Sequence, residues 1–174
     1  MSRLRGWSAT DRVLETGAFE SRQRVALAEP RAGLSEAGAR WLGVTYWRAV
    51  DDVTRGAVRA SWTGEGGRLR LLGGATLFRF GAPELAYGAG NVSCRYAIEG
   101  GLLALRAGGW VTLEQRSRGP EHELSVSVEG YLPRFAPRSG SPPWAGILYA
   151  KGQKPFHAAV SRRYFELVER ERPA

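Results

Sequence analysis

The sequence predicts an α+β domain in which a curved antiparallel sheet grips one long C-terminal helix, with two short helices placed after the first strand. Three observations predict it. Between residues 58 and 128 the chain runs in short apolar–polar alternations separated by glycine-rich turns, the pattern of an antiparallel meander. From Ser35 to Thr54 the spacing becomes helical, with Trp41, Val44 and Trp47 three apart. From 154 to 170, Phe156, Ala159, Val160, Tyr164, Leu167 and Val168 fall on one broad face at about 100° per residue.

Taken in order, residues 1–21 read as an arm ahead of a single domain over 22–174. In the arm, Thr10 or Asp11 caps a short helix carrying Val13 and Leu14, which Gly17 stops. Residues 24–29 form the first strand, ended by Pro30. Ser35 with Glu36 behind it is a helix start. Gly38 and Gly43 each weaken a helix by about 1 kcal/mol relative to Ala, so two helices are expected, near 35–42 and 45–53, broken at Gly43.

Strands follow. Val58, Ala60 and Trp62 share one face, Leu69 and Leu71 another, and Phe78 and Phe80 lie opposite Arg79. A loop through Pro83 leads to Tyr87. The clearest strand puts Val92, Cys94, Tyr96 and Ile98 on one side. Glycine pairs bracket 102–106, and further strands lie at 110–115 and 124–128. Crossover helices do not fit between these strands, which excludes a parallel sheet. Residues 133–143, with four prolines, are a loop, and Pro155 sits in the first turn of the last helix.

A chain of 174 residues is one domain by length and needs no metal or disulfide staple. The single cysteine, Cys94, excludes a disulfide framework and a multi-cysteine metal site. The N-terminus lacks an apolar signal core, and no stretch reaches the ~18 apolar residues of a spanning helix, so a cytoplasmic protein is expected. The net charge of +8 comes from 23 Arg and 2 Lys. These are scattered from Arg3 to Arg172 without forming a stripe, which argues against nucleic acid as partner. A solvated basic surface is the first reading, with weak contact to anionic membranes as the lesser one.

The concave face of a curved sheet is apolar, and one helix covers it without filling it. The space left accepts a small hydrophobic or amphipathic molecule. Trp62, Phe78 and Tyr96 from the sheet, with Phe156, His157, Val160 and Tyr164 from the helix, are the candidate ligand-binding residues. His157 can serve as acid or base if it faces that space, or hydrogen-bond at its rim if it does not. The Tyr164 hydroxyl can orient a ligand carbonyl. Cys94 reads as a small buried hydrophobe. His122 between Glu121 and Glu123 does not make a metal site, because three consecutive residues in a turn rarely converge on one ion. Gly88-Ala89-Gly90 lacks the dinucleotide fingerprint and neither lysine follows a phosphate loop, so no cofactor is expected. A solidly packed core would leave instead an interaction module with a basic surface.

The order of elements, carried by the broken helical segment at 35–54 and the terminal helix at 154–170, resembles the START-like helix-grip superfamily, also called SRPBCC or Bet v 1-like. The resemblance covers residues 22–170. It implies a cavity between sheet and final helix for lipids, polyketides or sterols, and in some members a cyclase or dehydratase acting in that cavity. The arm and the 133–143 loop depart from the pattern. A calycin-like closed barrel is the rival fold, and it leaves 35–53 unexplained.

Overall fold

The alternating runs pair as one antiparallel sheet. A computed structural model describes residues 6–134 and 154–171. Within them the order is β1 (Ser8–Val13), β2 (Phe19–Leu27), α1 (Glu36–Thr54), β3 (Val58–Thr63), β4 (Gly66–Leu71), β5 (Thr76–Gly81), β6 (Glu84–Gly88), β7 (Asn91–Gly100), β8 (Trp110–Arg118), β9 (Glu121–Tyr131) and α2 (Lys154–Arg170). Across the sheet the strands lie β1-β2-β9-β8-β7-β5-β4-β3, with β6 also on β7. β7 therefore serves two partners on one side: residues 91–95 pair with β6, and Ile98 and Gly100 with β5. The break between those partners falls at Ala82-Pro83, where proline has no N–H to give a ladder. The sheet is open, with β1 and β3 at its edges, so the closed barrel is ruled out. The whole is a curved sheet with a C-terminal helix, the helix-grip arrangement.

Alternation places Val25, Leu124, Gln115 and Val92 in one cross-strand row, and Val126, Leu113 and Cys94 in the next. All seven are buried. Gln115 is the polar exception, and both ends of its amide are bonded. Its Oε1 accepts from the Arg31 and Ala32 N–H groups at 2.7 and 2.9 Å, and its Nε2 donates to the Ala32 carbonyl at 2.9 Å. That clamp fixes the chain just before α1.

Three local expectations are corrected. The expected break at Gly43 is absent, and α1 is one continuous helix of 19 residues. Ser35 caps it, accepting from the Gly38 N–H at 3.2 Å. Its glycines mark close approaches rather than weak points. A Cβ at Gly43 would lie 2.2 Å from Tyr96 Oη and 2.9 Å from Cys94 Sγ, and one at Gly38 would lie 2.0 Å from the Gly33 carbonyl oxygen. Packing onto the sheet outweighs the propensity cost. Second, the short helix expected near residues 10–14 is the edge strand β1, paired with β2 from Ser8↔Arg24 to Val13↔Phe19. A helix that short cannot hold against a ladder and the Ser21 Oγ to Asp11 Oδ1 bond of 2.7 Å. Third, residues 84–88, expected in a loop, form β6, paired from Glu84↔Arg95 to Gly88↔Asn91.

The terminal helix spans the expected residues. Val160, Tyr164, Phe165, Leu167 and Val168 are buried, each such side chain contributing about 1.5–3 kcal/mol. The helix lies along α1: the Tyr46 and Tyr164 rings meet edge-on at 5.6 Å, Arg163 Nη2 reaches Asp52 Oδ2 at 2.6 Å, and Arg48 pairs with Glu171. Trp7 packs edge-on against Phe165 at 5.5 Å. Of the proline-rich loop, residues 135–143 lie outside the described residues.

Candidate functional site

Alternation in β3 turns Trp62 inward, directly across from Gly67 of β4. A Cβ on Gly67 would lie 2.3 Å from the indole, so the absent side chain is what lets the ring lie flat over β4. From there an aromatic cluster spreads over the sheet. Trp62 is 4.7 Å from Tyr96 and 5.1 Å from Trp47 of α1, and Trp47 is 5.0 Å from Phe80, measured between ring centroids. Phe80 continues to Phe78 at 5.8 Å, and Phe78 to Tyr131 at 5.5 Å.

Between this cluster and α1 runs a groove of about 780 Å³. Trp47, Trp62, Tyr96, Leu85 and Val44 give it an apolar body. Val44 is 66% exposed, an apolar residue that α1 holds out toward the groove rather than into the core. Arg40, Arg48 and Arg59, against a single Asp51, bring guanidinium groups to its lip. Arg40 and Arg48 also pair with Glu36 and Glu171. The Trp62 indole N–H is buried without an acceptor at this wall. Trp47 turns its N–H toward the Tyr96 hydroxyl without reaching hydrogen-bond geometry.

Burial, more than any charge, sets the chemistry of the floor. It pushes the Cys94 thiol up to about 11, against smaller opposing pulls from Tyr96 and Arg40. A thiol so raised is not a nucleophile near neutral pH. Burial, with the neighbouring Cys94 thiol, likewise raises Tyr96 above the usual phenol range. Tyr46 and Tyr164 are raised by burial too. All three hydroxyls stay protonated and are available as donors.

Of the seven residues expected to bind ligand, the structure brings Trp62 and Tyr96 together in the groove, with Phe78 joined to them through Phe80. None of the four from α2 lines the groove. Val160 and Tyr164 are buried, and Phe156 is partly buried against the core. His157 packs edge-on to Phe19 at 6.4 Å between centroids. Burial lowers its imidazole to about 4, with Asp11 pulling the other way, so it is neutral near pH 7. Along α2, His157 Nε2, Ser161 Oγ and Tyr164 Oη are buried without hydrogen-bond partners, as is Gln23 Oε1 on the inner face of β2. A helical spacing of four and three puts the α2 atoms on one face. His122 Nδ1 is 2.9 Å from Ser117 Oγ at the far end of β9.

Sequence reasoning missed Val44, Trp47 and Leu85 as groove residues. The first two were visible only as helix periodicity, and Leu85 was placed in a loop. A second hollow of about 1150 Å³ lies along β1, β2, β8 and β9. Half of its lining is charged, and some of those charges pair, Arg12 with Glu20 and both Arg22 and Arg24 with Glu123.

Fold and groove together define an α+β helix-grip protein with an aromatic recess beneath its first helix. Among solved structures the chain is similar to protein MLL2253 from Mesorhizobium loti, with 12% identity, a TM-score of 0.48, and 87% of this chain and 97% of that one covered. It is similar also to Ara h 8.0201, with 13% identity, a TM-score of 0.44, and 87% and 100% covered. CalU16 from Micromonospora echinospora matches at 12% identity and a TM-score of 0.33, over 94% and 77%. Likenesses of this size carry no argument about function. No family model matches the chain, and no curated protein matches it in sequence. Among the described residues, no helix is long and apolar enough to cross a membrane.

Proposed function

We propose that the protein binds a small amphipathic molecule in the groove between α1 and the sheet. The observation that carries this reading is the pairing of an aromatic body, Trp47, Trp62 and Tyr96, with an arginine lip at Arg40, Arg48 and Arg59. An apolar skeleton would cover the indoles, gaining about 25 cal/mol per Å² removed from water. An anionic or acceptor group would face the guanidinium groups, and an acceptor within reach would satisfy the Trp62 N–H. The unpartnered polar atoms on α2 and Gln23 support a second polar contact zone under the terminal helix, next to Tyr96 through Tyr164. The groove lining does not include His157, the residue on which the cyclase or dehydratase reading placed its chemistry.

The test uses an anionic amphipathic dye, 8-anilinonaphthalene-1-sulfonate, titrated against the folded chain, with native mass spectrometry of the freshly purified protein alongside. Trp62→Ala and Val44→Glu are expected to weaken dye binding on the order of tenfold, since each removes or charges apolar area worth more than 1 kcal/mol. Val44 is exposed, so its variant keeps the fold. Dye affinity unchanged in both variants would reject the groove as the site.

A further inference from the structure

The exposed face of β3–β4–β5 carries arginines in direct opposition. In the strand register Arg59 stands across from Arg70, and Arg68 across from Arg79. All four are exposed. Like charges placed opposite one another destabilise a sheet. Several arginines on other strands do meet carboxylates, as Arg12 meets Glu20 and Arg95 meets Glu84. Among the described residues none of these four makes an ion pair, and Arg79 reaches only the Glu99 carbonyl oxygen, at 3.4 Å.

Past the ends of these strands, exposed leucines stand in two adjoining loops. Leu72 lies in the β4–β5 turn, 63% exposed. Leu102 and Leu105 lie in the loop after β7, 50% and 45% exposed. The Leu102 N–H donates to the Thr76 carbonyl at 3.0 Å, fastening the second loop beside the first. Arg134 pins that loop again, donating to the carbonyls of Leu102 at 2.8 Å and Ala104 at 3.2 Å. An exposed leucine alone means little. Three on hydrogen-bonded loops, near arginines that no carboxylate neutralises, make a patch with a chemistry.

We infer that this end of the molecule docks on an anionic phospholipid bilayer, with Leu72 and Leu102 entering the acyl boundary and Arg68, Arg70 and Arg79 meeting lipid phosphates. The combination is what an interfacial contact requires: apolar area to insert and positive charge to hold it at the surface. A nucleic acid would use the arginines but has no place for the leucines, and it would call for exposed aromatic rings to stack on. The inference stands whether or not the groove holds a ligand.

The experiment is co-sedimentation of the full chain with phosphatidylcholine vesicles and with vesicles in which part of that lipid is replaced by phosphatidylserine, at low and high salt. Binding is expected to be tighter on the order of tenfold with phosphatidylserine, and to weaken with salt. The pair Arg68→Glu and Arg70→Glu should remove the lipid preference. The pair Leu72→Ser and Leu102→Ser should lower binding severalfold at both salt concentrations, with thermal unfolding as in the parent chain. Leu105→Ser provides a second single-site check should that pair prove unstable. No gain from phosphatidylserine, or binding indifferent to all the leucine changes, would overturn the inference. So would tighter binding to a single-stranded RNA oligonucleotide that the leucine changes leave intact, since the arginines would then belong to a nucleic-acid site.

Discussion

Replacing Gly43 by alanine sets two magnitudes against each other. On helix propensity alone, Gly43→Ala inside α1 should stabilise by about 1 kcal/mol. The structure says otherwise. The new methyl would lie 2.2 Å from Tyr96 Oη, where ordinary contact begins near 3.4 Å, and 2.9 Å from Cys94 Sγ. Both neighbours are buried, and Tyr96 is held by the ring of Trp47 at 5.2 Å and by Trp62, so neither yields freely. Overpacking of this kind costs roughly 1–3 kcal/mol. With contacts this short the upper part of that range applies, and the net expectation is a loss of about 1–2 kcal/mol. For a chain of this size that lowers the melting temperature by roughly 2–8 °C. Urea and thermal unfolding followed by tryptophan fluorescence will read it. Adding Tyr96→Phe removes the oxygen in the way, and the double variant should recover about 1 kcal/mol as a coupling energy. An alanine variant as stable as the parent, or more so, would refute the reasoning and return Gly43 to the status of an ordinary weak point in a helix.

Two further outcomes follow from buried polar groups. His157 is held neutral by burial, lowered to about 4, while in the unfolded chain it titrates near ~6.5. The unfolded state binds the proton first, so the contribution is complete above pH ~6.5. It is lost as pH falls toward 4, by on the order of 2–3 kcal/mol. Between pH 7.5 and 4.5 the parent's urea midpoint should therefore fall relative to that of His157→Leu, which lacks the titration; a pH-independent difference between the two would sink the claim. Gln115→Ala strips the partners from two amides and a carbonyl ahead of α1 and should cost about 2–4 kcal/mol in a denaturation experiment, whereas a loss below 1 kcal/mol would show the clamp to be dispensable.

The elements with strong periodicity were legible because burial wrote them. The strand through Val92, Cys94, Tyr96 and Ile98 and the helix through Val160, Tyr164 and Val168 bury one face each, and the pattern repeats that fact. β1 was not legible, since its residues are mostly exposed and its pairing is specified by β2 rather than by itself. β6 offers one partly buried apolar residue, Leu85, behind a proline, too little for alternation to show. Gly43 was misread because a glycine that weakens a helix and a glycine that admits a neighbour look the same in sequence. Of the candidate site, the sheet's contribution was readable from alternation. Which of two amphipathic helices borders the open space depends on crossing distances, and those exist only in three dimensions.

The divided allegiance of β7 has a mechanical consequence. Residues 91–95 belong to one panel of the wall and Ile98 and Gly100 to another, and the chain between β5 and β6 is stitched to neither across Ala82-Pro83. Trp62 rides on the far panel, while Leu85 rides on the near one. The seam therefore lies between two walls of the recess, and the unbroken β7–β8 ladder from Asn91↔Arg116 to Ala97↔Trp110 is what holds those walls in one frame.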